Sequence, residues 1–459
     1  MIPSPAHSVI ESGSLTLGPR SRIVAATPAL GPLAKVLAKE IVQLTGLQLA
    51  PAQGAPREGD IAVALDAAMA AEAYELTVGA TAAVCGGSYA AVAMGTATLL
   101  QALRGRSLPH MQVQDRPVAS YRGLLIDTAR RWHTLDTLKK LVVLCRLYKI
   151  NHMQLHLTDD QSFTFPSRAY PALATPDRHY TLDQIAELES FARERGVAIL
   201  PELEMPGHAA AAVGGLPSRV ACEPSTGNVL CPSHEQTYET MDTLIGEMCQ
   251  AFPASPYFHI GADEVNKKPW ESCTRCKAFM AQHGIENTEE LYRHFIVRMN
   301  EIVKRHGRKM IVWEGFAKTG KIAIPTDITV MIFESYYNLP PDVLAGGYPV
   351  INASWQPLYV VNDRNWTPEH IYGWNMYRWE HWFNISPAFE NPIQVPPTNQ
   401  IIGAQMCAWE QPDELELPSL RHRVPAMAER LWNPQAGRTF ADFESRLKDA
   451  DAKLDKLLA

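Results

Sequence analysis

The stretch Tyr121-Arg-Gly-Leu-Leu-Ile-Asp127, followed by Leu138, Leu141, Val142 and Cys145 at helical spacing and then by His152-Met-Gln-Leu-His-Leu157, reads as strand, helix, strand. The same order recurs toward the C-terminus. Further strands are expected from Val197 to Leu203, Tyr257 to Ile260, Met310 to Trp313, Thr329 to Phe333, Tyr348 to Asn352 and Ile402 to Cys407. Between two of them, Thr181-Leu-Asp-Gln184 has the form of a capping box opening a helix that carries Ile185, Leu188 and Phe191. Eight such units in about 340 residues match a (β/α)8 barrel of about 250 residues with long loop insertions. The aromatic-rich stretch from Trp355 to Thr398 is the largest insertion.

Upstream, from Ser14 to Leu103, two helices (Leu33 to Leu44 and Tyr89 to Leu103) alternate with strands that include Asp60 to Leu65 and Tyr74 to Val78. That is the pattern of a small α/β domain. Gln112 to Ala119, with Asp115, Arg116 and Pro117 between apolar segments, is expected to separate the two parts. The fold class is therefore α/β, with a small domain over 1–117 and a (β/α)8 TIM barrel over 118–459.

Composition fits a globular enzyme: 46% of residues are hydrophobic and 20% charged. A net charge of −7 without a basic run argues against a nucleic-acid partner. No apolar run is long enough to span a membrane. The first residues lack the basic-then-apolar pattern of a secretory leader, so the expected location is cytoplasmic unless a leader has been removed. Assembly as a homodimer is left open.

In a (β/α)8 barrel, chemistry sits at the C-terminal ends of the strands. Those ends carry Asp127 with Arg130, His156 with Asp159 and Asp160, Glu202, Glu204 and His208, and Asp263 with Glu264. The later ends carry Trp313 with Glu314, Phe333 with Glu334, and Trp409 with Glu410. A bowl of carboxylates and aromatic rings suits a sugar, whose apolar face stacks on a ring while its hydroxyls take charged hydrogen bonds. Taken singly, an Asp-Glu pair is usually solvated surface and a barrel Trp is usually packing. Asp263-Glu264 rises above that because it follows the buried-looking Tyr257-Phe-His-Ile-Gly-Ala262, whose small residues would let a ligand approach the backbone.

Metal binding is not expected. His152 and His156, about 13 Å apart along one strand, cannot share an ion. Cys273-Thr-Arg-Cys276 has metal-like spacing, but no second such pair accompanies it among the eight cysteines, so a local disulfide or two free thiols is the expectation.

The motifs taken in order resemble glycoside hydrolase family 20, the β-N-acetylhexosaminidases, over nearly the whole chain. They are Tyr121 through Arg130, His156-Leu-Thr-Asp-Asp-Gln161, Pro201-Glu-Leu-Glu-Met-Pro-Gly-His208, His259-Ile-Gly-Ala-Asp-Glu-Val265, Trp313-Glu, Tyr359, Trp409 and Ala428-Glu-Arg-Leu-Trp432. Ala262 replaces a glycine usual in the family. The resemblance implies an exo-acting retaining enzyme that removes terminal N-acetylglucosamine or N-acetylgalactosamine from oligosaccharides or glycoconjugates, without a cofactor. It further implies substrate assistance, in which the 2-acetamido oxygen closes an oxazolinium ring. Neighbouring strand residues point to opposite sides, so Asp263 and Glu264 are poorly arranged to act as acid and nucleophile across one sugar, which agrees with an attacking group on the substrate.

On this resemblance Glu264 is the acid/base, Asp263 orients the acetamide, and Tyr359 donates to its oxygen. Arg130, Trp313, Phe333, Trp409, Glu410 and Gln411 bind the sugar, while Asp159, His208 and His259 support the catalytic pair. Two positions near the sugar 6-hydroxyl that are commonly acidic are Val361 and Gln411 here, unless Glu410 or Asp363 substitutes. Specialisation for 6-substituted (sulfated) N-acetylhexosamine, or for disaccharide release, is therefore the alternative. Rivals of other classes are a carbohydrate-binding barrel without turnover and a metal-dependent hydrolase.

Overall fold

The computed structural model describes all residues except 218, 219, 224–226, 363, 365 and 435–438. Eight parallel strands close into a barrel: Tyr121–Asp127, His152–His156, Ala198–Glu202, Tyr257–His259, Lys309–Trp313, Thr329–Ile332, Val350–Asn352 and Ile401–Ala408, the last pairing with both the first and the seventh. Every strand expected from the sequence is present, and the Thr181/Gln184 capping box forms with both of its hydrogen bonds. The interior is filled by side chains, among them Tyr121, Leu125, Leu200, Ile311, Met331 and Cys407. The barrel is thus a packed core whose upper rim alone can hold a ligand.

Before the barrel lies a seven-stranded mixed sheet in the spatial order His7–Thr16, Ser107–Asp115, Tyr74–Val78, Ala82–Gly86, Ile61–Leu65, Arg22–Ala25, Ala50–Gln53. Residues 112–115, expected in the connection between the two parts, belong instead to its long strand Ser107–Asp115. The helix Tyr89–Ala102 is buried nearly all round. A helix apolar on every side needs two neighbours, and it has them in the sheet and the barrel helix Leu135–Leu147. Gly95 allows the close approach, since a Cβ there would lie 2.5 Å from Val84 and 2.9 Å from the Tyr74 ring.

The joint between the two parts is polar at its centre. Buried Asp115 accepts from Trp432 Nε1 (2.9 Å), from Lys149 Nζ (3.4 Å) and, in a short hydrogen bond, from the Tyr74 hydroxyl, while the Lys149 ammonium sits 4.3 Å from the centre of the Trp432 ring. A buried pair this well bonded fixes geometry more than it adds stability. Among the described residues no helix is long and apolar enough to cross a membrane.

Candidate active site

The fourth barrel strand ends at His259, and the chain then turns through positive φ at Gly261 (66°), Ala262 (74°) and Glu264 (47°). Asp263 and Glu264 therefore lie beyond the strand. The alternation expected for them does not apply, and both carboxylates face one imidazole: His208 Nε2 is 3.3 Å from Glu264 and 3.9 Å from Asp263. The small residues before them have a different purpose from the one expected. A Cβ on Gly261 would fall 1.9 Å from Glu204 Oε2, so the glycine makes room for a buried carboxylate rather than for a ligand.

Behind the pair runs a continuous chain of charge. His208 Nδ1 lies 3.4 Å from Asp159, whose other oxygen takes Arg130 Nη2 at 2.6 Å and His156 Nε2 at 2.9 Å. His156 Nδ1 meets Glu202 at 2.7 Å, and the same Glu202 accepts from Trp313 Nε1 (2.8 Å) and Gln154 (2.9 Å). Arg130 also stands 5.2 Å from the Trp409 ring centre, over its face. His208 thus stands between Glu264 and Asp159. Glu202 organises three of the site's rings, since His259 Nδ1 lies 3.0 Å from it.

Titration follows from these contacts. Burial opposes charge on His208, but hydrogen bonds to Asp159 and Glu264 outweigh it and lift the imidazole to about 11. The same His208 hydrogen bond holds Glu264 below the usual carboxylate range, while burial raises Asp263. Burial and the neighbouring Asp263 and Glu202 raise Glu204, so the proton of this inner carboxylate pair stays on Glu204 and Glu202 remains ionised. Glu334 is lifted to about 8, first by burial and then by Glu264 and Glu314.

The opposite wall is aromatic. Phe333 stacks parallel to Tyr359 at 6.4 Å and meets Trp313 edge-on at 5.5 Å, while Tyr359 stands 6.1 Å from Trp409. Trp355 and Trp382, 4.6 Å apart, extend this wall. Neither was singled out in the sequence, where the insertion that carries them lacks regular periodicity. Trp313 is 1% exposed and therefore forms the floor. Glu314 accepts amides of Ser335, Tyr336 and Tyr337 at 2.9, 2.7 and 3.2 Å, so it holds the loop after the sixth strand rather than facing a ligand.

Gln411 is buried, and its amide donates to Asn362 Oδ1 (3.2 Å) and Trp409 O (3.1 Å). Glu410 is exposed at the rim, with φ 56° and its backbone N–H 3.3 Å from Asp127. Asp363 lies outside the described residues. Among the described residues Asp263 Oδ1 and Trp409 Nε1 are buried without hydrogen-bond partners. Such groups are costly unless something else satisfies them.

Of the two alternatives expected for Cys273 and Cys276, a local disulfide or two free thiols, the structure has the free thiols; Cys222 and Cys231, which the fold brings beside them, are free as well.

Comparison with known proteins gives a consistent result. Residues 120–435 match the model of the glycosyl hydrolase family 20 catalytic domain, and residues 1–116 match that family's domain 2. A β-hexosaminidase of Porphyromonas gingivalis is 26% identical over 99% of this chain and 63% of its own length, and one of Vibrio furnissii is 30% identical over 68% and 57%. The chain therefore spans about three fifths of these relatives. The solved exo-β-N-acetylglucosaminidase of Vibrio harveyi, in complex with N-acetylglucosamine, superposes with a TM-score of 0.83 at 25% identity, over 100% of this chain and 77% of that one. The β-N-acetylhexosaminidase of Bacteroides fragilis superposes with 0.85 at 20% identity, over 99% and 95%. The chain belongs to glycosyl hydrolase family 20.

Proposed function

We propose that the protein is an exo-acting, retaining β-N-acetylhexosaminidase that removes terminal N-acetylglucosamine or N-acetylgalactosamine with the substrate's own acetamide as nucleophile. The observation that carries this reading is the pair itself. Asp263 presents a buried, unpartnered oxygen that an acetamide N–H would satisfy, and half-exposed Glu264 stands on the rim where a leaving oxygen would lie. Both carboxylates face His208, so they do not flank a sugar from two sides as an acid and a protein nucleophile would. The exo mode rests on the likeness to the Vibrio harveyi enzyme.

In the first step the acetamide oxygen attacks the anomeric carbon, the glycosidic bond breaks, and Glu264 gives its proton to the departing oxygen. In the second, water attacks the same carbon, returns its proton to Glu264 and reopens the ring. Two displacements at one centre give net retention. Asp263 stabilises the positive charge on the cyclising acetamide, and Tyr359 donates to its oxygen. The protein's own groups hold Glu264 toward its ionised form and shift Asp263 upward, each against its role. A bound sugar corrects both, because its N–H favours ionised Asp263 and its bulk desolvates Glu264.

The test is release of nitrophenol from aryl N-acetylglucosaminide and N-acetylgalactosaminide by the wild type and by Glu264→Gln and Asp263→Asn. Wild-type turnover that both substitutions largely abolish supports the reading. Sugar binding without turnover by the wild type excludes it.

A further inference from the structure

Two pairs of cysteines that are distant from each other in sequence, Cys222 with Cys231 and Cys273 with Cys276, meet outside the sugar site. Cys273 caps the helix Thr274–His283 and Cys276 lies in its first turn. Cys222 and Cys231 come from the long connection after the third barrel strand, where an antiparallel Ala221–Leu230 bridge and a 2.7 Å bond from Cys231 N to Val220 O set them side by side. All four are buried, and their sulfurs lie within 4.8 Å of one another.

The spacing decides between two chemistries. Cys276 Sγ is 3.7 Å from Cys231 Sγ and 3.9 Å from Cys222 Sγ. A disulfide needs about 2.05 Å. Four thiolates around one tetrahedral zinc, each about 2.3 Å from it, lie about 3.8 Å apart. The surroundings suit thiolates rather than inert thiols packed as small apolar groups. Ser233 Oγ lies 3.2 Å from Cys231 Sγ, and Arg275 Nη2 donates to the carbonyl of Ala221, the neighbour of Cys222. Arg275, whose Nε is buried and unpartnered among the described residues, adds a positive charge. A hydroxyl beside the sulfur and a nearby cation both favour a metal thiolate over a neutral thiol.

We propose that Cys222, Cys231, Cys273 and Cys276 bind one structural zinc ion that clamps the His208 loop to the segment following Asp263-Glu264. The route from cluster to site is short. Leu230 N bonds Pro206 O at 2.8 Å and Ala209 N bonds Asn228 O at 3.1 Å, on either side of His208, while Trp270 Nε1 bonds Leu230 O at 3.0 Å from the other segment. Four ligands close the coordination sphere, so the ion takes no part in hydrolysis.

The test uses the full chain produced with zinc supplied. Elemental analysis should find about one zinc per chain, and a mercurial reagent should release it as about four thiols react. Cys276→Ser and Cys231→Ser should lose the ion, whereas Cys85→Ser, which alters a thiol of the first domain, should keep it. Should the ligand variants fail to fold, the wild type still decides, through its metal content and through the thiol state of peptides cut under non-reducing conditions. Metal-free protein with four free thiols, a disulfide between any two of the four, iron in place of zinc, or zinc retained by Cys276→Ser would each overturn the proposal. In the wild type, mercurial release should lower Tm and leave the protein folded but slower; a Tm unchanged by release would remove the clamp.

Discussion

Replacing Asp159 by Asn tests the charge chain behind Glu264. Asp159 accepts from Arg130 (2.6 Å), His156 (2.9 Å) and the Asp160 amide (2.6 Å), and it faces His208 Nδ1 at 3.4 Å. An asparagine offers one accepting oxygen, so its NH2 group must face either Arg130 and His156 or the Asp160 amide and His208. With the amide in its place, His208 loses the strongest of the influences that lift it to about 11 and becomes neutral closer to pH 7. Glu264, held low chiefly by that imidazolium, then binds its proton more tightly. A hydrogen bond to a charged group contributes about 1.5 to 3 kcal/mol, and tenfold in rate corresponds to about 1.4 kcal/mol, so kcat should fall about 10- to 100-fold. The alkaline limb of the kcat/KM profile should also move to higher pH, since it reports the acid of the free enzyme. Profiles on an aryl N-acetylglucosaminide from pH 4 to 9, with Tm measured alongside, separate this from misfolding. A variant whose profile superimposes on the wild type, with kcat within about twofold, would refute the relay.

Glu264→Gln should reduce kcat by about 10² to 10⁴ on substrates with poor leaving groups and much less on activated dinitrophenyl glycosides, because only the former need the proton; equal losses on both would contradict the assignment. Against burial, Glu202 and Asp159 hold His156 near 10, whereas in the unfolded chain it titrates near 6.5. The folded state thus keeps a proton that the unfolded chain loses, so this stability is complete below about pH 6.5 and declines toward pH 10 by up to about 1.4 kcal/mol per pH unit; urea unfolding from pH 7 to 9 should show the decline, which His156→Gln should flatten. Lys149→Met strands Asp115 in the joint between sheet and barrel and should cost about 3 to 5 kcal/mol, measured by denaturant unfolding; a neutral result would mean the pair is dispensable. On the proposal that Val361 and Gln411 stand at the outer end of the sugar site, 6-O-sulfated aryl N-acetylglucosaminide should be cleaved with kcat/KM within about tenfold of the plain glycoside, and Gln411→Glu should widen the gap by charge repulsion; strong rejection by the wild type would dismiss that specialisation.

Much of this was legible in the residues. All eight barrel strands announce themselves as short apolar runs between helical patterns, and the strand ends bring Arg130, Asp159, His208, Asp263 and Glu264 to one rim. The edge strand His7–Thr16 escaped because it is exposed along nearly all its length and carries no alternation. Ala82–Gly86 is short and alanine-rich, and Ser107–Asp115 ran into the polar residues that also mark a connection. Strand periodicity did not foretell the turn through Gly261 and Ala262, since an alanine at φ 74° leaves no mark in sequence. Glu202 was visible as a strand-end carboxylate, but its hold on Trp313, His156 and His259 depends on three different strands. The cysteine cluster was hidden for a related reason: Cys222 and Cys231 have no paired spacing, and only the Ala221–Leu230 bridge makes them partners for Cys273 and Cys276.

The central claim is that the attacking atom belongs to the substrate. Aryl glycosides whose 2-acetamido group carries one, two or three fluorines probe it directly, since each fluorine weakens the amide oxygen as a nucleophile while leaving the leaving group unchanged. The account predicts a kcat/KM that falls steeply and stepwise with each fluorine, with the 2-hydroxy glucoside essentially inert. Equal rates across the series, or ready cleavage of the glucoside, would contradict it.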